Sequence, residues 1–300
     1  QPIRVVRLVR VVRLVRVVRL VIDASAHQSK QDDPRQKMNE PPPSKTIHVK
    51  ELNLDIIPPC TARANEPEYG GSKIVVVGKP GTGKSTLIAS LLYAKKHIIP
   101  CGMVMSGSED SNGFYSKIFP KSFVFHNYDE EQLKQFVKRQ KIAKRHLPNP
   151  WAVVLCDDCT DSNKIFNSKI QQGLFKRGRH WKMLYILSLQ YAMDVKPSIR
   201  TNVDGVFILR EPILKNRKSL FENYASVIGD FNIFCQLMDQ LTNDYCSLYI
   251  HQAAHTNDWR DCVFYYKADL VPKNFKFGCK DYWKFHHKRF NPRFVRDMEF

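Results

Sequence analysis

The sequence predicts an α/β fold in which a mainly parallel central sheet is flanked by helices, with a short low-complexity arm at the N-terminus. Three observations carry this. Between Thr46 and Leu209 short apolar runs alternate with helix-length segments, the pattern of successive βαβ units. Several of those runs, such as Val153-Val154-Leu155, are apolar without interruption, as strands buried on both faces must be. A glycine-rich turn joins one of the runs to the helical segment after it.

The first 45 residues stand outside the pattern. From Arg4 to Val21 the hexapeptide Arg-Val-Val-Arg-Leu-Val occurs three times. Arginine at every third position advances about 300° around a helix and falls alternately on both faces of a strand, so neither element gains an apolar face. Six arginines, each costing about 2.5–3.5 kcal/mol near the bilayer centre, argue against a membrane span there. The repeat reads as a disordered low-complexity arm, with nucleic-acid binding or targeting as its functional readings. Residues 23–45 hold four acidic and four basic side chains and end in Pro41-Pro42-Pro43, which favours an extended linker.

The folded region is expected over 46–270. Strands are predicted at 47–52, 73–77, 102–106, 123–126, 151–156, 183–189 and 205–209, where β-branched and aromatic residues gather. Helices are predicted at 84–95, with Leu87, Ile88, Leu91 and Leu92 at helical spacing, at 130–146, which is strongly basic, and at 164–176. After Glu211 come helix-like stretches at 213–226 and 230–241, then two aromatic strands at 245–251 and 262–266. Residues 271–300 read as a basic, aromatic C-terminal extension.

Composition narrows the function classes. With 43% hydrophobic and 11% aromatic residues the chain is neither wholly disordered nor fibrous. Lys and Arg number 47 against 29 Asp and Glu, a net charge of +18 that favours a polyanionic partner, either nucleic acid or an anionic membrane face. The eight cysteines, spread along the chain with no signal peptide before them, predict reduced thiols in an intracellular protein.

The strongest motif is Gly78-Lys79-Pro80-Gly81-Thr82-Gly83-Lys84-Ser85, followed by Thr86 and preceded by the apolar run Ile74-Val75-Val76-Val77. It fits the P-loop pattern. Glycines let backbone N–H groups turn inward around phosphate oxygens, Lys84 would reach the β- and γ-phosphates of ATP, and the Ser85 hydroxyl would hold Mg²⁺ at a helix N-terminus.

Such a cradle needs a metal-holding acid at the end of a neighbouring strand, and Asp157-Asp158, after Ala152-Val153-Val154-Leu155-Cys156, supplies it. Asp157 would orient Mg²⁺, while Asp158 would polarise the attacking water; the plainer reading is that both cap the next helix. Gln190 ends the run Leu184–Leu189, at the edge of the sheet where ligands of open α/β folds bind, which makes it a γ-phosphate sensor candidate.

Taken with Gly178-Arg179-His180, Leu187-Ser188-Leu189-Gln190-Tyr191 and the run from Pro197 to Asp204, these motifs resemble the genome-packaging ATPases of large DNA viruses. Those form the poxvirus-type branch of the FtsK/HerA superfamily, with relatives in polinton- and adinto-like elements. The resemblance runs from Lys73 to Lys267 and takes in Ser106-Gly107-Ser108-Glu109-Asp110 and Tyr265-Tyr266-Lys267. It implies a RecA-like, ASCE-type fold, a homo-oligomeric ring, and ATP-driven pumping of double-stranded DNA into a preformed capsid. It further implies capsid or portal-like vertex proteins as partners, and action at a viral assembly site in the cytoplasm or nucleus, or association with the virion. In ring ATPases a neighbouring subunit supplies an arginine worth about 10³–10⁵ in rate; Arg177, Arg179 and Arg200 are the candidates here.

The residues alone imply an Mg²⁺-dependent NTPase, and two other functions stay open. One is a different DNA pump of the same superfamily, serving conjugation or chromosome segregation. The other is a basic virion protein that binds DNA beside a vestigial nucleotide site. A GTPase is disfavoured, because the nearest approach to the base-reading [NT]-K-x-D motif is Tyr266-Lys267-Ala268-Asp269.

DNA contacts are expected from Lys134, Lys138, Arg139, Lys141, Lys144 and Arg145, and from the eight basic residues between Lys273 and Arg296. The aromatics among the latter either stack on nucleic acid or pack on the core. Cys246, His251, His255 and Cys262 have no recognised zinc spacing, and zinc is not expected there. No membrane span is expected.

Overall fold

In the computed structural model the chain enters its sheet at a two-residue strand, β1 (Lys50–Glu51), whose side chains are both exposed. The structure describes residues 47–159, 163–191, 195 and 197–291; the Arg-Val repeat, the Pro-rich linker, Phe294 and the other terminal residues lie outside them. The described residues belong to one compact unit, Ile47–Phe300.

From β2 (Lys73–Val77) the expected alternation begins, with α1 (Lys84–Lys95), β3 (Cys101–Ser106), the single turn α2 (Glu109–Asn112), β4 (Val124–Phe125), α3 (Glu130–His146), β5 (Ala152–Asp157) and α4 (Lys169–Arg177). Then come β6 (Met183–Leu189), α5 (Pro197–Arg200), β7 (Gly205–Ile208), α6 (Leu214–Leu220), α7 (Phe231–Leu241), β8 (Cys246–His251), α8 (Trp259–Cys262), β9 (Val263–Lys267) and α9 (Lys280–Arg289). The strands form one nine-stranded sheet in the order β1-β9-β8-β7-β2-β6-β5-β3-β4. All neighbours are parallel except β8, which runs antiparallel to both β7 and β9. Helices flank the sheet, and every residue of β2, β3, β5, β6 and β7 is buried, as their uninterrupted apolar runs require.

Three differences from the sequence reading have local causes. First, α4 starts at Lys169 because Ser168, in extended conformation, caps it by accepting a hydrogen bond from Gln171 N–H; residues 163–167 form a separate 3₁₀ turn. Second, the stretch expected at 213–226 is α6 followed by a π-turn over Phe221–Ala225. Third, α9 lies in the segment expected to be an extension. Its charges masked a two-point apolar seam, Tyr282 and His286 at i and i+4, both buried.

That segment is stitched to the core. Phe275, Phe277 and Tyr282 join the main hydrophobic cluster, Phe277 N–H donates to Ile118 O at 2.9 Å, and Tyr282 Oη donates to Gly102 O at 2.6 Å. Gly278 has φ 92°, and a Cβ there would lie 2.6 Å from the Tyr282 ring and 2.9 Å from Pro100 O, so only glycine fits that turn. The basic face of α3 is solvated. Leu133, Phe136, Val137, Gln140 and Ala143 turn inward, leaving Lys134, Lys138, Arg139, Lys141, Lys144 and Arg145 exposed.

All eight cysteines are free thiols. No helix among the described residues is long and apolar enough to cross a membrane.

Candidate active site

The carboxyl ends of the parallel strands converge on the turn after β2. Gly78 N–H donates to Leu189 O at 3.1 Å and Leu209 N–H to Val77 O at 2.9 Å, which ties the turn to the ends of β6 and β7. Thr82 folds back onto Lys79 O through its N–H (3.3 Å) and its hydroxyl (2.7 Å). Gly81 (φ 77°) and Gly83 (φ 97°) supply the left-handed conformations that curl the backbone, and Pro80 sits exposed at the tip. Gly83 is the N-cap of α1 and has no side chain to satisfy the first-turn N–H groups, which therefore have no acceptor within the helix. First-turn N–H groups without an acceptor inside the helix, at the positive end of a 12-residue helix, suit an anion.

Side chains around the turn are already in place. Lys84, 7% exposed, donates to Gly78 O at 2.7 Å. Its Nζ is 3.8 Å from Asp158 Oδ1, and Gln190 Nε2 donates to the same oxygen at 3.4 Å. Lys79 pairs with Glu211 at 2.9 Å. Burial opposes ionisation of Glu211, but hydrogen bonds from Ile213 N–H, Lys79 and Asn216 outweigh it and hold the carboxyl below its usual value.

Asp157 is buried at the end of β5. Tyr115 Oη donates to its Oδ2 at 2.8 Å, whereas among the described residues neither Oδ1 nor the hydroxyl of Ser188, in register on β6, makes a hydrogen bond that meets normal geometry. Burial pushes the Asp157 carboxyl up and the Asp158 charge adds to it, while the neighbouring Ser188 hydroxyl, the Tyr115 hydrogen bond and the Lys84 charge act against it. A buried carboxylate oxygen without a donor fits a divalent cation, and the Ser85 hydroxyl lies close to Tyr115 Oη, which holds the same carboxylate. Ser85 and Asp157 are therefore the residues that would hold Mg²⁺.

The acid strand is not next to the P-loop strand, contrary to the sequence reading. β6 lies between β2 and β5, which puts Gln190 between the phosphate turn and the two acids. Asp158 is held at φ 48°, a left-handed conformation costing about 1–3 kcal/mol for a non-glycine residue. Gly107 accommodates it: its N–H donates to Asp157 O at 3.1 Å, and a Cβ there would meet Asp158 O at 2.3 Å. Glu109 then accepts hydrogen bonds from Tyr115 N–H (3.0 Å) and Ser116 N–H (2.9 Å), which fixes Tyr115 against Asp157. Tyr115 was not singled out by the sequence, because no spacing rule marks a tyrosine held through a buried glutamate.

The three arginines lie elsewhere. Arg177 and Arg179 precede β6 and Arg200 precedes β7, so all stand at the amino edge of the sheet, opposite the P-loop. Arg179 pairs with Asp204 at 2.7 Å, and Asp204 also holds Lys73 at 3.2 Å. Arg200 lines a polar cavity with Glu222, Asn223 and Gln252. Cys246 and His251 occupy opposite ends of the six-residue β8, roughly 17 Å apart, so they do not share a metal. Among the described residues no group of three or more His, Cys, Asp or Glu converges as a metal site.

No family model matches the chain. Uncharacterized protein 088R of Invertebrate iridescent virus 3 is 51% identical over 240 residues, covering 79% of this chain and 92% of that one. Uncharacterized protein 075L of Invertebrate iridescent virus 6 is 53% identical over 252 residues, covering 83% and 97%. The chain belongs to this family of viral proteins. The family extends to uncharacterized protein L437 of Acanthamoeba polyphaga mimivirus, 30% identical over 235 residues, covering 75% of this family member and 81% of that protein. Solved structures similar to it include the genome packaging NTPase B204 from Sulfolobus turreted icosahedral virus 2, at 16% identity and a TM-score of 0.49, covering 68% of this chain and 100% of that one. Another is the pCW3 conjugation coupling protein TcpA, at 13% identity and a TM-score of 0.48, covering 68% and 62%. At those scores neither likeness bears a conclusion about this family member.

Proposed function

We propose that the protein is an Mg²⁺-dependent ATPase that pumps double-stranded DNA into a viral capsid at an assembly site in the infected cell, working as a homo-oligomeric ring. The observation that carries the ATPase reading is the convergence of Lys84, Asp158 and Gln190 beside the P-loop, with the unpartnered Asp157 oxygen below it. Gly78 to Thr86 bind the phosphates, and Lys84 neutralises the β/γ charge. Mg²⁺ on Ser85 and Asp157 would neutralise phosphate charge further. Asp158 accepts the proton of the attacking water as that oxygen bonds to the γ-phosphorus and the bond to the bridging oxygen breaks, giving ADP and phosphate. Gln190 reads the γ-phosphate. Because Arg177, Arg179 and Arg200 stand at the far edge of the sheet, any of them that serves as the finger serves a neighbouring subunit's site.

The DNA and capsid parts of this reading rest on the motif resemblance, the +18 charge and the viral family. The test is ATP turnover with and without long duplex DNA, for the wild type, Lys84→Ala and Asp158→Asn. Turnover stimulated by duplex DNA and abolished in Lys84→Ala is expected, with Asp158→Asn still binding ATP. Absence of turnover in the wild type, with DNA binding intact, would leave a non-enzymatic DNA-binding protein.

A further inference from the structure

We infer that Tyr245 is the surface on which the base of a purine nucleotide stacks, a specificity element that rests on the nucleotide reading above. The sheet order separates the two ends of such a ligand. On one side of β2 lie β6 and β5 with Gln190, Asp157 and Asp158, the groups suited to a terminal phosphate and its metal. On the other side lie β7 and β8, and the residue leading into β8 is Tyr245. A nucleotide lying across the P-loop with its terminal phosphate toward β6 directs its base toward β8.

Tyr245 meets the loop there. Its ring carbon Cδ1 is 3.3 Å from where a Cβ on Gly83 would sit, and Leu209 Cδ2 is 3.9 Å from the same point. The residue is nonetheless 67% exposed, so its ring has an edge beside the glycine-rich turn and much of its surface in water. Among the described residues no hydrogen bond or ring contact engages the phenol.

The backbone holds the ring there against its preference. Asp244 (φ 54°) and Tyr245 (φ 59°) are consecutive left-handed residues, a pair of positions that favours Asn-Gly or Gly-Gly. The turn is pinned by three contacts: Cys246 N–H to Asn243 O at 3.0 Å, Asn243 Nδ2 to Asp239 O at 2.6 Å, and an ion pair between Asp244 and Lys267. Left-handed backbone retained at a solvent-exposed aromatic beside the glycine-rich turn suits a binding position better than a packing one. Tyrosine offers a rigid π-face that any base can cover, and a purine covers more of it than a pyrimidine.

The test is binding of ATP, CTP and inorganic tripolyphosphate, each with Mg²⁺, to the full chain by calorimetry. Wild type is expected to bind ATP more tightly than CTP. Tyr245→Ala should weaken ATP on the order of tenfold, the range of one lost base–aromatic stack, and bring ATP and CTP together while leaving tripolyphosphate within about twofold. Tyr245→Phe should keep the wild-type order, and the fluorescence of Tyr245→Trp should respond to ATP but not to tripolyphosphate. Unchanged ATP affinity in Tyr245→Ala, or equal losses for ATP and tripolyphosphate, would overturn the assignment. A wild-type chain that binds tripolyphosphate and ATP equally sinks base stacking alone, whereas one that binds neither sinks the nucleotide site itself.

Discussion

Tyr115 donates its only phenolic proton to Asp157 Oδ2 at 2.8 Å, while Asp157 Oδ1 is a buried acceptor with no hydrogen-bond partner among the described residues. The arrangement holds the carboxylate oriented by one oxygen and unsatisfied at the other. Its consequences for stability and for metal dependence run in opposite directions.

Asp157→Asn should stabilise the free protein at neutral pH while removing its response to Mg²⁺. Burial raises the carboxyl's pKa in the folded state, so stability contributed by the protonated form is present at low pH and is lost as pH rises from the unfolded-state value through the raised folded one. Asparagine carries no charge and removes that loss. The melting temperature without ligand is expected to rise at pH 7, by an amount corresponding to about 1–3 kcal/mol, and added Mg²⁺ with ATP should stabilise the variant less than the wild type. A lowered melting temperature with the Mg²⁺ response intact would contradict the assignment.

Tyr115→Phe should do the reverse. The ring stays in the core, but Asp157 Oδ2 loses its donor and neither carboxylate oxygen is then satisfied, at a cost of about 1–3 kcal/mol in chemical denaturation. The loss should shrink as pH falls through the raised titration range of Asp157, where the carboxyl takes up its proton. A pH-independent loss would mean that the hydroxyl matters only for packing.

Gly107→Ala probes the acid loop without touching a reacting group. A Cβ 2.3 Å from the Asp158 carbonyl forces that loop to move. Hydrolysis is expected to fall at least tenfold, while ATP affinity stays within about twofold because the P-loop is untouched. Equal losses in both would show that the loop also shapes the phosphate cradle.

The C-terminal segment separates core from charge. Phe277→Ala should cost about 3–5 kcal/mol, the range for a buried phenylalanine, so deleting 271–300 outright would test folding rather than DNA contact. Replacing Lys280, Lys284 and Lys288 by alanine should change stability by no more than about 0.5 kcal/mol each. On the proposed function, each phosphate contact so lost should flatten the dependence of log DNA affinity on log salt by about 0.9. An unchanged slope would place the contacts on another surface, with the exposed face of α3 the next to test.

Tyr245→Gly offers a trade of stability against binding. Glycine adopts φ 59° without the clash a side chain meets, which should raise the melting temperature by about 2–4 °C for each kcal/mol of strain relieved, even as ATP binds less tightly. A lower melting temperature would mean that the tyrosine ring stabilises the turn it occupies.

Much of the fold was legible because its signals are local and strong. The runs at 73–77 and 183–189 and the helices at 84–95 and 130–146 fall where their periodicity places them. The strand–turn–helix junction at 73–95 was equally legible, since its glycines set a backbone geometry that the sequence spells out. What escaped depends on tertiary partners. Strand order set β6 between β2 and β5, α9 needed Pro100 and Gly102 to accept its hydrogen bonds, and Tyr115 acquires its place only through Glu109 and Asp157. The role of Gly107 in the Ser106–Asp110 motif became physical only once the Asp158 carbonyl was seen against it.

The sheet ends on both sides in strands two residues long, β1 and β4, and the outer one at β1 is Lys50-Glu51, charged and exposed. Such margins give a second copy almost no backbone to pair with, and a charged margin repels strand addition further. Among the described residues the sheet therefore offers a second copy side-chain surfaces rather than a strand edge, and a contact made through such surfaces can loosen and re-form without any β-ladder having to break.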